Sequence, residues 1–236
     1  MEVRGAIALV TGAGRGIGRA TALALAREGA RLVVVSRSAA ELDSLVSEIE
    51  ASGAQGVAFA GDLRSRSACD AAVAAAVEHF GGLQILVNNA GVGSYDNVAD
   101  TRDETWEDVI GTNLTAVFRL TRAAIPHLAQ HGGQVVMISS LAGQNPIAGM
   151  ATYCASKAAL DHFAACLMLE VRPRGIRVTT IAPGSVDTSF GSGRSGDTSW
   201  MLSAEDVAGT VVDVVRLRDG AHTSRVEMRP ARPQKR

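Results

Sequence analysis

Residues 6–18 read AIALVTGAGRGIG, an apolar run that passes directly into glycines at alternate positions. A helical pattern follows with no intervening loop. Glycines allow a tight turn and let the amides at a helix N-terminus approach an anion, which the helix dipole attracts. The stretch therefore predicts a strand, turn and helix that bind the pyrophosphate of a dinucleotide. The alternative is a glycine turn that only packs a helix against a strand.

Short apolar runs without polar alternation recur along the chain, which is typical of parallel strands covered by helices on both faces. They are Ala6–Val10, Leu32–Val35, Val57–Ala60, Ile85–Val87, Val135–Ile138 and Val178–Ile181. The segments between them carry apolar residues at spacings of three and four, as helices do. This order predicts an α/β fold: one Rossmann-type, doubly wound, mostly parallel sheet in a single domain. Its ligands are expected at the carboxyl ends of the strands.

The composition limits the classes of partner. The 236 residues are 47% hydrophobic and 20% charged, and 23 Lys and Arg nearly balance 24 Asp and Glu. A net charge of −1 provides no general attraction to nucleic acid or to an anionic membrane, so small-molecule partners are expected. No signal peptide or membrane span is evident, which indicates a cytoplasmic protein. The histidines and cysteines lack metal-ligand spacing, so no metal is expected.

The end of the second strand bears on the choice of cofactor. NAD-binding proteins commonly place a carboxylate there to hold the ribose 2′-hydroxyl, whereas this chain has Ser36 and Arg37. The next acid, Glu41, already belongs to the following helical pattern. Arg15 and Arg37 together suit a 2′-phosphate, because two guanidinium groups bind its oxygens and a carboxylate would repel them. NADP(H) is therefore predicted in preference to NAD(H), unless both arginines are merely solvated surface charges.

Two residues of a later helical segment predict acid–base chemistry. Tyr153 and Lys157 are four positions apart, which places both side chains on one face of a helix. A free tyrosine has a pKa near 10, and a nearby cation stabilises the phenolate. Lys157 and the oxidised nicotinamide ring are therefore expected to make Tyr153 a usable general acid and base. Ser140 is expected to donate a hydrogen bond to the substrate oxygen.

Several motifs together resemble the short-chain dehydrogenase/reductase family, from about residue 5 to about residue 188. They are TGxxxGxG at 11–18, NNAG at 88–91, YxxxK at 153–157 with a serine thirteen residues earlier, and PGxVxT at 183–188. The resemblance implies a catalytic tetrad of Asn113, Ser140, Tyr153 and Lys157. It also implies cofactor contacts by Gly12, Arg15, Gly16, Ile17, Gly18, Ser36, Arg37, Asp62, Leu63, Asn89, Ala90, Gly91, Tyr153, Lys157, Pro183, Gly184, Val186 and Thr188.

The resemblance also assigns individual roles. It implies that Lys157 binds the nicotinamide ribose, that the main chain at Asn113 supports a proton-relaying water and that PGxVxT contacts the carboxamide. Asp62 is expected to contact the adenine, and an N-cap of the next helix is a second, compatible role. The Asn side chains of NNAG are expected to tie neighbouring backbone groups together.

The implied function is an NADP(H)-dependent oxidoreductase that transfers a hydride between nicotinamide and a carbonyl or secondary alcohol. One alternative is a 3-oxoacyl-[acyl-carrier-protein] reductase, although RVEMRP lacks the glycine pair common after the last strand of such family members. A catalytically idle NADP(H)-binding sensor or scaffold is the alternative from another class. The family also implies a homotetramer, assembled through helices around residues 105–131 and 153–172.

The chain divides into a cofactor-binding and catalytic core (1–188), a substrate loop (189–203) and a C-terminal segment (204–236). Within the loop, residues 190–199 are interpreted as a lid or a solvated connection. Trp200 and Met201 are expected to form an apolar pocket wall, or else to anchor packing. At the C-terminus, residues 225–229 allow an edge strand, but the proline-interrupted basic sequence favours a loosely docked or disordered tail.

Overall fold

A computed structural model describes residues 1–188, 190 and 197–232. Within them, seven parallel strands form one sheet in the order β3-β2-β1-β4-β5-β6-β7. The strands are β1 Ile7–Thr11, β2 Arg31–Ser36, β3 Gly56–Ala60, β4 Ile85–Asn88, β5 Gln134–Ile138, β6 Arg177–Pro183 and β7 Arg225–Met228. The α-helices are α1 Gly16–Arg27, α2 Ala39–Ala51, α3 Arg66–Phe80, α4 Asp103–Ile110, α5 Ala116–Leu128, α6 Ala151–Val171 and α7 Ala204–Arg216. The predicted doubly wound α/β fold is confirmed.

The centre of the sheet positions the site. β1 pairs with β2 on one side and with β4 on the other, and all of its residues are buried. Strand order therefore reverses at β1, with successive crossovers leading away in opposite directions. A sheet of this kind opens a crevice at the carboxyl ends of the two strands that flank the reversal.

Helices bury both faces of the sheet. One apolar cluster joins alternate strand residues such as Leu9 and Leu86 to helices α3, α5 and α6. The other joins Val10 and Val34 to α1, α2 and α7. Because both faces are covered, the central strands contain few polar residues, which is why their sequences lack alternation. β3 lies at the sheet edge and is only partly covered, so it departs from this expectation.

The C-terminal segment is more ordered than the sequence indicates. α7 begins with a capping box between Ser203 and Asp206. Residues 225–228 form β7, which pairs in parallel with β6, so the edge strand expected at residues 225–229 is present and any loose tail begins after it. The outer edge of β6 offers backbone partners, and an ion pair between Arg225 and Asp161 of α6 holds the added strand. The structure does not describe residues 233–236.

Two further expectations concern segments or properties outside the sheet. The lid predicted for residues 190–199 falls mostly on 191–196, which are outside the described residues, as is position 189. Across the described ranges, no helix combines the length and the apolar character that a membrane span requires.

Candidate active site

A cleft of about 810 Å³ runs along the carboxyl ends of the strands, from the glycine turn to α6. Most residues implied by the family resemblance line it. They are Gly12, Arg15, Gly16, Ile17, Ser36, Arg37, Asp62, Leu63, Asn89, Ala90, Gly91, Ser140, Tyr153, Lys157, Pro183, Gly184, Val186 and Thr188. Gly18 and Asn113 instead lie buried behind its wall.

The turn between β1 and α1 is packed so closely that side chains are excluded. Gly12 has φ +63°, and a Cβ there would lie 2.9 Å from Ala90 Cα. A Cβ at Gly18 would collide with the carbonyl oxygen of Gly12 and lie 2.7 Å from its carbonyl carbon. The first turn of α1 has no side-chain cap and no acidic residue, so its amides remain available to an anion. These features fit the pyrophosphate of a dinucleotide.

The NNAG segment holds the turn in place. The Asn89 side chain donates to the Thr11 carbonyl at 2.8 Å and to the Gly12 carbonyl at 3.2 Å. The Thr11 hydroxyl accepts from the backbone amides of Asn89 and Ala90. Asn88 is buried and donates to the Thr121 hydroxyl. The two asparagines therefore join β1, β4 and α5 through hydrogen bonds.

The close packing at Gly18 leads to a first prediction. Because the new methyl group would meet backbone that cannot rotate away, Gly18→Ala is expected to destabilise the fold by about 2 kcal/mol. In a protein of this size that corresponds to a fall in Tm of about 6 °C. NADPH affinity is expected to fall as well, since the turn must shift. Thermal unfolding and a fluorescence titration with NADPH measure the two effects.

Gly209→Ala is the matched control, because Gly209 is exposed in α7 and a Cβ there would meet nothing within 4 Å. It is expected to raise stability by about 0.5–1 kcal/mol by restricting the unfolded chain. A Gly18→Ala protein with unchanged Tm and NADPH affinity would contradict the packing argument.

The adenosine end of the cleft combines two cations with an acid. Arg15 and Arg37 are exposed, and no described acidic side chain lies within ion-pair distance of either. Along the sequence, Glu41 is separated from both arginines because it lies in α2. The structure brings the Glu41 carboxylate over Gly14, where it lines the same cleft. Sequence reasoning noted this acid but placed it away from the site, because only the packing of α2 against the turn brings it near.

Asp62 is held by its neighbour two positions on. Its carboxylate accepts from the Arg64 backbone amide at 3.0 Å and forms an ion pair with the Arg64 side chain. The hydrogen bond from Arg64 lowers the pKa of Asp62, so this group stays ionised. The N-cap position of α3 belongs to Ser65, so the proposed N-cap role of Asp62 is wrong. The turn that ties Asp62 to Arg64 delays the start of the helix until Arg66.

Tyr153 and Lys157 lie on successive turns of α6, as predicted. Burial raises the pKa of Tyr153 to about 12, although a hydrogen bond with Ser140 acts in the opposite direction. Lys157 Nζ donates to the Ile138 carbonyl at 2.9 Å and lies 5.8 Å from the centroid of the Tyr153 ring. The expected lowering of the tyrosine pKa by Lys157 is therefore not found in the protein alone, because desolvation of the phenolate dominates.

Ser140 has two contacts. Its hydroxyl accepts from the Ala142 amide at 3.1 Å and so caps the short 3-10 turn Leu141–Gly143. It also acts on Tyr153, whose pKa it lowers against the effect of burial. Capping this turn and donating to a substrate oxygen are compatible roles for Ser140.

Asn113 lies in a π-helical turn, Gly111–Thr115, between α4 and α5. Its side chain is fully buried. It accepts from the Val92 amide at 2.8 Å and donates to the Val92 carbonyl at 2.9 Å and to the Ser156 hydroxyl at 3.0 Å. These bonds link the loop after β4 to α6, one residue before Lys157. The Asn113 side chain is thus used for structure, and the proton-relay role of its main chain stays a prediction.

The charge of Lys157 is influenced by a group that sequence reasoning did not single out. Burial lowers the pKa of Lys157 to about 8, and the negative charge of Asp161, one helical turn further on, opposes this effect. One carboxylate oxygen of Asp161 accepts from Arg225 at 2.9 Å, and the other is buried with no hydrogen-bond partner. The i, i+4 spacing of Lys157 and Asp161 was the available sequence signal.

Asp161→Asn is expected to lower the pKa of Lys157 below about 8, because it removes the charge that favours the ammonium form. If Lys157 must be charged for turnover, the alkaline limb of the rate profile should then move to lower pH. Measuring kcat for carbonyl reduction between pH 6 and pH 10 tests this, with Asp161→Glu as the control that keeps the charge. An alkaline limb at the wild-type position in Asp161→Asn would exclude this role.

The apolar wall of the cleft near Tyr153 differs from the expected one. Trp200 and Met201 are not among the lining residues. The wall consists of Val92, Tyr95, Leu141, Ile147, Met150 and Phe190, from the loops after β4, β5 and β6. Those loops follow the carboxyl ends of their strands, whereas residues 200–201 directly precede α7. Within the described residues, no three His, Cys, Asp or Glu side chains are grouped as a metal site would require.

Comparison with known proteins identifies the family. The family model of the short chain dehydrogenases matches residues 6–198. A 2,5-dichloro-2,5-cyclohexadiene-1,4-diol dehydrogenase of Sphingobium indicum is 36% identical over 221 residues, which cover 93% of this chain and 88% of the relative. A 3-oxoacyl-[acyl-carrier-protein] reductase of Pseudomonas aeruginosa is also 36% identical, over 80% of this chain and 77% of that protein.

A solved structure adds the same evidence in three dimensions. The short chain dehydrogenase of Burkholderia cenocepacia in complex with NADP is 35% identical, has a TM-score of 0.90 and covers 98% of each chain. The backbone fold is thus shared along nearly the whole length of both chains. This chain belongs to the short-chain dehydrogenase/reductase family of oxidoreductases, which use a nicotinamide cofactor.

Proposed function

We propose that this protein is an NADP(H)-dependent oxidoreductase that interconverts a carbonyl compound and a secondary alcohol, with Tyr153 as the general acid and base. One observation carries the proposal. Ser140 and Tyr153 line the same end of a cleft, where Ser140 lowers the pKa of the phenol, and a buried Lys157 lies one helical turn from Tyr153. A phenol, a hydroxyl and an ammonium group in this arrangement suit proton transfer to an oxygen atom.

The bound nicotinamide would supply a hydride to the carbonyl carbon in reduction and accept one from the alcohol carbon in oxidation. In reduction, the Tyr153 hydroxyl donates the proton that the carbonyl oxygen gains. Ser140 donates a hydrogen bond to the same oxygen as negative charge develops there. Lys157 stabilises the phenolate left on Tyr153. In oxidation, the phenolate takes the proton back, so one hydride and one proton account for the full change.

Burial prepares Tyr153 for the acid role. With a pKa of about 12 in the protein alone, the phenol stays protonated throughout the neutral range. Each unit by which bound positive charge lowers that pKa corresponds to about 1.4 kcal/mol of stabilisation of the phenolate. The nearby Lys157 ammonium and an oxidised nicotinamide are the two sources of such charge in this proposal.

The preference for NADP(H) rests on Arg15 and Arg37. Both guanidinium groups line the adenosine end of the cleft and have no acidic partner within ion-pair distance among the described residues. An unpaired cation pair favours a 2′-phosphate. The Burkholderia relative was solved with NADP, which supports the same choice. Glu41 opposes it in part, since a carboxylate favours a ribose hydroxyl.

The relatives do not indicate a single substrate class, because one is named for a ring diol and another for a 3-oxoacyl group. We retain 3-oxoacyl-[acyl-carrier-protein] reduction as the alternative reaction. An idle cofactor-binding scaffold is disfavoured, because cofactor binding alone gives no reason to keep a phenol, a serine hydroxyl and a buried lysine together.

We also propose assembly into a homotetramer. Large apolar side chains are exposed on α4, α5 and α6: Trp106 is 47% exposed, Phe118 is 44% exposed and Leu169 is 67% exposed. Contact between the equivalent helices of two subunits would bury them, and two-fold axes repeat such contacts. The cell compartment proposed is the cytoplasm.

The direct test of the proposed reaction follows NADPH absorbance with purified protein and a panel of carbonyl compounds. Time-dependent NADPH consumption that requires a carbonyl, and recovery of the matching alcohol, would support the proposal. Tight NADPH binding with no turnover across aldehydes, ketones, diketones and 3-oxoacyl thioesters would instead favour the scaffold.

A further inference from the structure

Large apolar side chains are exposed at the substrate end of the cleft. Tyr95 is 49% exposed, Ile147 is 45% exposed and Phe190 is 39% exposed. They come from three separate loops, after β4, β5 and β6, yet all three line the cleft beside Tyr153. Single exposed apolar residues are ordinary, but convergence of several on one cleft marks a surface that is completed by an apolar ligand.

The aromatic rings are arranged around a glycine. The centroids of the Tyr153 and Phe190 rings are 5.8 Å apart. A Cβ at Gly93 would lie 3.2 Å from Phe190 Cε1 and 3.6 Å from Tyr95 Cε2. The rings of Tyr95 and Phe190 therefore both pack against Gly93. Because Gly93 has no side chain, the Phe190 ring has room to lie beside Tyr153.

Charged side chains in the cleft are concentrated elsewhere. Arg15, Arg37, Glu41, Asp62 and Arg64 line the adenosine end. The other lining residues are apolar or carry uncharged amide and hydroxyl groups, apart from Lys157 and Arg229. Lys157 is buried against a backbone carbonyl, and Arg229 is paired with Glu227 at 3.0 Å. A charged substrate would lose water there while both cations are already engaged, which is costly.

We infer that this end of the cleft binds an uncharged, apolar ring compound that carries a ketone or a secondary alcohol, with Tyr95 and Phe190 as its specificity-determining residues. The inference rests on the proposed function for its reaction, in which a ring ketone gains a hydride at carbon and a proton from Tyr153 at oxygen. Aromatic side chains hold flat or puckered rings through a large contact area.

Substrate comparison gives the first measurement. When NADPH is the cofactor, kcat/KM for cyclohexanone and for 1-tetralone is expected to be at least about tenfold above that for dihydroxyacetone and for acetoacetyl-CoA. This ratio corresponds to a difference of about 1.4 kcal/mol in activation free energy. Tyr95→Ser and Phe190→Ser are each expected to raise KM for 1-tetralone about tenfold and leave KM for acetone within about threefold. Val98→Ser is the matched control, because Val98 is 74% exposed and does not line the cleft.

A binding measurement gives a readout that needs no turnover. Saturation-transfer NMR with 1-tetralone and the enzyme saturated with NADP⁺, which cannot reduce a ketone, reports the Kd of the ring alone. The Kd should rise about tenfold in Tyr95→Ser and Phe190→Ser and stay unchanged in Val98→Ser. Circular dichroism on each variant checks that it is folded.

The outcomes separate this inference from the proposed function. Preference for the ring ketones, with loss of ring binding in both variants, supports both. Faster reduction of dihydroxyacetone or acetoacetyl-CoA, or ring binding that neither variant weakens, overturns the ring inference and leaves the oxidoreductase proposal standing. Ring binding that the variants abolish, with no turnover of any carbonyl, supports the ring site and overturns the proposed reaction.

Discussion

Replacing Tyr153 by phenylalanine is expected to lower kcat for carbonyl reduction by about 10²–10⁴-fold while the Kd for NADPH changes by less than about twofold. The loss follows because the substitution removes the proton donor, and a positioned acid contributes that range of rate. Binding persists because the ring itself is retained against Phe190 and the glycine turn is untouched. Single-turnover absorbance and a fluorescence titration measure the two quantities.

The fold should tolerate this change. The variant keeps the buried ring and loses only its hydroxyl, a change of about 1 kcal/mol, so Tm should fall by only a few degrees. Ser140→Ala is the companion variant, since it leaves the phenol but removes a donor to the substrate oxygen. If Tyr153→Phe turned over at the wild-type rate, Tyr153 would have no part in proton transfer, and the proposed mechanism would be abandoned.

Reversing the charge at Arg37 is expected to weaken NADPH binding by at least about tenfold, or roughly 1.4 kcal/mol, in Arg37→Asp. A carboxylate at this position repels a 2′-phosphate and accepts a hydrogen bond from a 2′-hydroxyl, so NADH should bind as well as before or better. Titrations with NADPH and NADH, in wild type and variant, give the specificity ratio directly.

Two further variants make this experiment decisive. Arg174→Asp introduces the same change of charge at an exposed residue outside the cleft, so it should leave the ratio unchanged. Glu41→Gln removes the carboxylate that reaches over Gly14 and should strengthen NADPH binding relative to NADH. Equal affinity of the wild type for NADH and NADPH would show that Arg15 and Arg37 do not form a 2′-phosphate site.

The fold and the main elements of the site were predictable because their signals are short in range. The uninterrupted apolar runs of the central strands follow from burial on both faces, and the glycine turn follows β1 directly. The spacing of Tyr153 and Lys157 places them on one helix face whatever surrounds that helix. Local pattern did not determine the edges of the sheet, since neither the partial exposure of β3 nor the choice of β6 as the partner of residues 225–228 follows from it.

By itself, the sequence placed the chemical groups along the chain: a glycine turn with Arg15 after β1, Arg37 after β2, Ser140 after β5, and Tyr153 with Lys157 on α6. Only the tertiary structure placed Glu41 over Gly14, Arg225 against Asp161, and Tyr95 and Phe190 around Gly93. It also decided the direction of the Tyr153 pKa, which burial raises although a lysine lies four residues away. The reason is physical: spacing along one helix is local geometry, whereas desolvation and contacts between distant loops depend on how the whole sheet packs.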